Sequence, residues 1–170
     1  MTTKAQPIVS VVMGSDSDLP VMEEATKIMD QFDIPYELFL TSAHRSPART
    51  TTFAKNASQR GIKVIIVGAG AAAHLAGVIA AETLLPVVGV PIDATSLRGL
   101  DALLATVQMP GGIPVATMAI GKAGARNAAL FAVRILALED VSMRNNMTKF
   151  VDNMAKEVAR KHDNLVRVNS

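Results

Sequence analysis

The chain has no cysteine, no tryptophan and a single tyrosine in 170 residues. Without cysteine, disulfides, thiol nucleophiles and thiolate-held metals are excluded. So few aromatics leave no platform on which bases could stack, and the lysines and arginines are scattered, so nucleic-acid binding is not expected. The one basic gathering, Lys156, Arg160, Lys161 and Arg167, alternates with Asp152, Glu157 and Asp163 and reads as a solvated helix face. The three histidines, His44, His74 and His162, stand far apart without metal-ligand spacing. A zinc site built on them is therefore not expected. No apolar run reaches membrane-spanning length, since glycines, prolines and charges interrupt each one. The opening MTTKAQPIVS carries one base before a strand-like run, so the expectation is a cytoplasmic protein without a secretory leader.

Charge is scarce as well, at 19% of residues against 49% hydrophobic, with a net charge of +2. Between Gly61 and Leu138 only Lys63, Glu82, Asp93, Arg98, Asp101, Lys122, Arg126 and Arg134 are charged. A single copy would struggle to cover itself with so few, which predicts a large subunit interface. A parallel sheet buried on both faces also makes a chain apolar, and the two explanations act together.

Strand-like and helical patterns alternate along the chain. IVSVVM (8–13), YELFL (36–40), KVIIVG (63–68), PVVGV (86–90) and VATMAI (115–120) read as strands. Between them, SDLPVMEEATKIMDQF spaces Leu19, Met22, Ala25, Ile28 and Met29 as a helix. SPARTTTFAKNASQR offers Ser46 as N-cap and Pro47 at the first helical position. AHLAGVIAAETL, SLRGLDALLATVQ and KAGARNAALFAVRILAL supply three further helices, and MPGGIP ends the second of these. The expectation is one domain over residues 1–170, a three-layer αβα sandwich around a flavodoxin-like five-stranded parallel sheet of order 2-1-3-4-5. The α/β core spans about 7–138. A C-terminal helix over about 141–167, with Met143, Met147, Phe150, Val151, Met154 and Val158 on one stripe, follows the completed fold and is expected to pack on neighbouring subunits.

In such sheets ligands bind beyond the carboxyl ends of the strands, where strand order reverses. The loops meeting there are GSDSD (14–18), TSAHRS (41–46) and GAGAAAH (68–74). GSDSD supplies hydroxyls, carboxylates and a helix N-terminus suited to an anion, although Ser17 or Asp18 would cap that helix whatever the function. A cation held by Asp16 and Asp18 is another reading, weakened by the Gly14-Ser15 that precedes them. Gly68, Gly70 and Ala73 fit the G-x-G-x-x-A dinucleotide fingerprint, with Asp93 at the distance of a ribose-binding acid. The fingerprint follows the third strand rather than the first, and no substrate domain follows it, so a small-residue wall is the better reading. His74, opening the next helix, reads as a cap or core residue on its own. His44 reads otherwise, because Ser42, Arg45 and Ser46 beside it suit a phosphate and an imidazole beside a bound anion can move protons.

MGSDSD, SAHRSP, VIIVGAGAAAHLAG, PVVGVP and VQMPGGIPVATMAIGKAGARNAAL together resemble, in order and spacing, the class I PurE family over about residues 7–138. The resemblance implies an N5-carboxyaminoimidazole ribonucleotide mutase of purine biosynthesis, working without cofactor or metal on a small ribonucleotide. It implies His44 as the proton shuttle, Ser15, Asp18 and Arg45 at the ribose phosphate with Ser17 and Ser42 assisting, and Gly70, Ala71 and His74 lining the carboxylate pocket. It also implies a homo-octamer and a functional link to the synthetase that makes the carbamate. Two positions depart from the usual GAGGAAHLPG, with Ala71 replacing Gly and Ala76 replacing Pro, and the segment IDATSLRG (92–99) is unlike the family's, so no role passes to residues 92–98. The alternatives are direct carboxylation of aminoimidazole ribonucleotide by carbon dioxide, which SAHR rather than SAHK disfavours, and a non-enzymatic flavodoxin-like nucleotide-binding module.

Overall fold

Valine and isoleucine fill the central strands because a parallel sheet covered on both faces has no solvent side to alternate toward. In the computed structural model, which describes residues 6–167, β1 (Val9–Met13) and β4 (Val87–Ile92) are buried at every position, and β3 (Val64–Gly70) at all but its last. β2 (Tyr36–Leu40) and β5 (Ala116–Thr117) complete an all-parallel sheet of order β2-β1-β3-β4-β5, as the sequence predicts. The chain divides into two compact units, Met1–Ala132 and Val133–Ser170.

In the first unit α2 (Pro47–Ala57), α3 (Leu75–Glu82) and α4 (Leu100–Val107) share one face of the sheet. Phe53, Ala54, Ile79 and Ala102 from these helices join Val12, Ile65 and Val67 in one buried cluster. α1 (Leu19–Gln31) covers the opposite face, where fully buried Met22 occupies the space above Gly68. A methyl on Gly68 would lie 2.4 Å from the Met22 sulfur, so this glycine serves helix packing rather than a nucleotide. The dinucleotide reading fails on the same ground: Gly68 through Gly70 are strand, paired with Val90, Pro91 and Ile92, and not a phosphate-cradling turn. Pro91 is tolerated inside β4 because β5 pairs only with Val88 and Gly89 and needs no amide from it.

Three elements differ from expectation in length. β5 holds two residues instead of the six in VATMAI. α4 begins at Leu100, after Arg98 and Gly99 take left-handed conformations (φ +50° and +83°) that a helix cannot include. α1 begins at Leu19 because a 3-10 turn occupies Asp16–Asp18. α5 is Lys122–Leu136 and α6 is Val141–Arg167. Within the second unit Asp140 accepts the Met143 amide at 2.9 Å to start α6, and the Arg144 guanidinium donates to the Ala137 and Leu138 carbonyls. On the predicted stripe Met147 is buried, while Val151, Met154 and Val158 are exposed.

The edge strand β2 is tied by a charge-assisted network. Arg60 grips Glu37 through two bonds of 2.7 and 2.8 Å, and the buried Ser10 hydroxyl donates to the same carboxylate at 3.0 Å. Burial works to raise the Glu37 carboxyl, but Arg60 and Ser10 outweigh it and hold it below its ordinary value. A lowered value in the folded state stabilises above the unfolded pKa, and that stability disappears as pH falls through the folded one. Arg60→Ala is expected to cost about 1 kcal/mol at neutral pH, the partly exposed guanidinium holding it to that size. The gap from the parent chain should narrow once Glu37 is protonated, read from urea midpoints at pH 7 and pH 3.

Candidate active site

β1 and β2 finish level, Met13 pairing with Leu40, while β3 passes Gly68, the partner of Met13 on the other side, and continues to Gly70. The three loops that follow therefore start close together at the carboxyl end of the sheet. α1 departs to one face, and α2 and α3 to the other, which leaves a crevice between them at the strand ends. A cavity of about 310 Å³ opens there.

Ser15, Ser17, Asp18, Ser42, His44, Arg45, Gly70 and Ala71 all line this cavity. His74 is outside the lining, but its Nδ1 lies 2.9 Å from Nε2 of His44. Gly14, Ala69 and Ala72 from the loops already named complete the wall with Ala43, Leu75 and Ala94, which sequence reasoning did not single out. Ala94 had a readable signal in Gly70: a methyl there would come within 2.6 Å of the Ala94 Cβ, so the glycine allows the chain after β4 to close on β3. Asp93, the acid of the fingerprint reading, is exposed and outside the lining, and its neighbour Ala94 stands in the wall.

The 14–18 loop is a capping box wound around a 3-10 turn. The Ser15 hydroxyl accepts from the Ser17 amide at 3.3 Å, and the Asp18 carboxylate accepts from the Ser15 amide at 3.1 Å. Neither Ser17 nor Asp18 caps α1 through its side chain, contrary to the simple helix-cap reading; Ser17 instead donates its hydroxyl to Ser15 at 2.8 Å. Burial pushes the Asp18 carboxyl above its ordinary value, opposed by the Ser15 and Gly14 amides; Asp16 raises it further, and Arg45 pulls it down. A buried acceptor facing the cavity suits ribose hydroxyls, which donate hydrogen bonds.

The 41–46 loop is knit by hydroxyls. Ser46 is the N-cap residue of α2, but its hydroxyl accepts from the Ser42 amide at 3.0 Å and bonds no helix amide. Thr41 joins Ser46 to Thr50 through contacts of 3.3 and 2.9 Å. The Arg45 amide donates to the Ser42 hydroxyl at 3.2 Å, and its guanidinium reaches back to the Gly14 carbonyl at 3.2 Å. This loop presents His44 and Arg45, both exposed, to the cavity with their backbone fixed.

The third loop turns sharply. Ala71 has φ +52°, a left-handed conformation that costs an alanine roughly 1 kcal/mol or more. The Ala71 and Ala72 carbonyls accept from the Ala73 and His74 amides, each at 2.8 Å, in two consecutive tight turns. A larger recess of about 580 Å³ lies elsewhere, among Ala80–Val88, Gly112–Pro114, Ala116 and Phe131. Its only ionisable group, Glu82, lies 3.4 Å from the Lys55 ammonium, so it offers no chemistry comparable to the His44 cavity.

The family model described as AIR carboxylase matches residues 8–157. The N5-carboxyaminoimidazole ribonucleotide mutase of Pyrococcus horikoshii is 53% identical, over 92% of this chain and 87% of its own. The phosphoribosylaminoimidazole carboxylase of Schizosaccharomyces pombe is 51% identical over 95% of this chain, which spans 29% of that longer protein. Among solved structures, Treponema denticola PurE superposes with a TM-score of 0.85 at 26% identity, covering 94% of this chain and 98% of its own.

Ala71→Gly should remove the left-handed penalty and raise stability by about 1 kcal/mol, less the greater freedom glycine brings to the unfolded chain. A stability lowered by about 1 kcal/mol in urea titrations, the full cost of glycine's freedom in the unfolded chain, would show that the turn holds no strain.

Proposed function

This chain belongs to the AIR carboxylase family, and from that premise we propose that it is an N5-carboxyaminoimidazole ribonucleotide mutase, an isomerase of purine biosynthesis. The observation that carries the reading is His44, an imidazole at the rim of a cavity with Asp18 and Arg45 on one side and the small Gly70–Ala71 wall on the other. The likeness to the Pyrococcus horikoshii mutase over nearly the whole of both chains supports the same reaction.

In the proposed mechanism the ribose phosphate sits on Arg45, Ser15, Ser17 and Ser42, with Asp18 accepting from the ribose hydroxyls. The carbamate N–C bond breaks, carbon dioxide is released inside the site, and His44 delivers a proton to the departing nitrogen. The adjacent ring carbon then forms a C–C bond to that carbon dioxide, and His44 takes back the proton this carbon carried. Charge and protons balance, so no external acid, oxidant or cofactor is required. Gly70 and Ala71 face the migrating carboxylate, and His74, outside the lining, acts through its contact with His44. The wall of small side chains keeps water away, and confinement makes recombination faster than escape.

In one chain the His44 side of the cavity is exposed, and a trapped gas needs a cover. Two exposed apolar stripes suit assembly: Leu100, Leu104 and Val107 on α4, and Val151, Met154, Val158 and Leu165 on α6. A homo-octamer in which helix 141–167 packs on neighbouring subunits would cover them. Among the described residues no helix is long and apolar enough to cross a membrane. A cytoplasmic enzyme fed by the carbamate-forming synthetase is the setting this reading favours.

Direct carboxylation of aminoimidazole ribonucleotide is the second reading, favoured by the name of the Schizosaccharomyces pombe relative. An assay without ATP or added metal separates the two. The mutase turns over the carbamate at micromolar concentration, whereas a carboxylase consumes aminoimidazole ribonucleotide and bicarbonate at comparable efficiency. His44→Asn should bind the ribonucleotide and lose about 10²-fold or more in turnover. Arg45→Ala should act mainly on affinity. Sedimentation that gives a stable monomer at micromolar concentration would remove the assembly.

A further inference from the structure

The contact between His44 and His74 decides which ring nitrogen of His44 can work. Nε2 of His44 faces Nδ1 of His74 at 2.9 Å. The rings meet edge-on at 83°, with centroids 5.0 Å apart, so this is an N–H···N bond and not a stack. Such a bond requires a proton on one nitrogen and a lone pair on the other. Nδ1 of His44 makes no hydrogen bond among the described residues. The backbone holds His74 in place: Ala71 sits in its left-handed conformation, and the two tight turns at Ala73 and His74 deliver the ring to His44.

The geometry points to His74 as a positioning residue that accepts the Nε2–H of His44, so that Nδ1 of His44 is the atom that gives and then takes the proton. This inference rests on His44 as the proton shuttle. His44 enters the reaction with both nitrogens protonated and Nε2–H bonded to His74. Loss of the Nδ1 proton to the departing nitrogen leaves the neutral Nε2–H tautomer, whose Nδ1 lone pair then removes the ring-carbon proton. His74 keeps its own proton on Nε2 throughout, and the pair ends as it began. Without His74 a neutral His44 is free to place its proton on Nδ1, where it cannot act as a base, and the ring is free to rotate. Asp18 and Arg45 are the other ionisable side chains lining the cavity, and neither is bonded to either ring.

The test uses three variants of the full chain, with steady-state kinetics on the carbamate substrate and histidine ¹⁵N NMR of the ligand-free enzyme. In the parent chain the neutral His44 ring should show the Nε2–H tautomer. His74→Leu should mix the two tautomers and lower kcat by about tenfold or more, with KM changed by less than about threefold. His74→Asn, whose amide oxygen falls near the position of Nδ1, should restore most of kcat and the tautomer. An Nδ1–H tautomer in the parent chain overturns the inference, as does a His74→Leu variant with unchanged kcat and ring shifts. A rise in KM alone overturns it too, since His74 would then be only a substrate contact. If His44→Asn retains full turnover, the shuttle reading fails instead, and the NMR result reports on the pair independently.

Discussion

The parallel register of β1 with β2 and β3 is the constraint from which the site follows. Hydrogen bonding fixes Met13 against both Leu40 and Gly68, so three loops far apart in sequence begin at one end of the sheet, each next to β1 or leaving it. α1 on one face and α2 with α3 on the other then leave the strand ends uncovered. A slip of one residue in any of these pairings would exchange the side chains packed under the two helix layers and separate the loops, which is why the apolar cores of β1 and β3 also govern where the polar groups meet. Stability and site geometry are set by the same ladder.

Much of this was legible in the chain. β-branched runs located the strands, their alternation with helical spacing gave the parallel order, and that order named the three loops at the site. What was misread depended on packing or backbone conformation. G-x-G-x-x-A was set aside as a dinucleotide fingerprint in favour of a small-residue wall, but the reason for its glycines was hidden: Gly68 is small to admit Met22 and Gly70 to admit Ala94. VATMAI looked like a full strand, but only Ala116 and Thr117 stand in strand register with β4, and beyond them single bonds from the Met118 and Gly121 amides reach its carbonyls. The side chain of Ser46 follows the loop before it rather than the helix after it, a choice that hydroxyl chemistry alone leaves open. The bond between His44 and His74 crosses thirty residues of sequence and was invisible without the fold.

Electrostatics divide the labour among the three loops. Asp18 is buried and held as an acceptor by backbone amides, while Arg45 and His44 stay exposed at the rim. The Gly70–Ala71 wall carries no charge and no polar side chain, so in the proposed mechanism it would not hold back a carboxylate that departs as a neutral gas, as a cationic wall would. In that mechanism the binding strength lies at the phosphate end, away from the bonds that change, where it stabilises substrate and transition state alike.

The tether from the Arg45 guanidinium to the Gly14 carbonyl bears on how the proposed phosphate would be met. One arm of the fork is anchored to the protein's own main chain, so the planar group waits already aimed, and its remaining N–H bonds are free for an incoming oxyanion. A lysine here would have to divide one compact ammonium between carbonyl and guest, on a stem with no plane to orient. The preference for guanidinium at this point is therefore a matter of having two hands, one to hold the rail and one to catch.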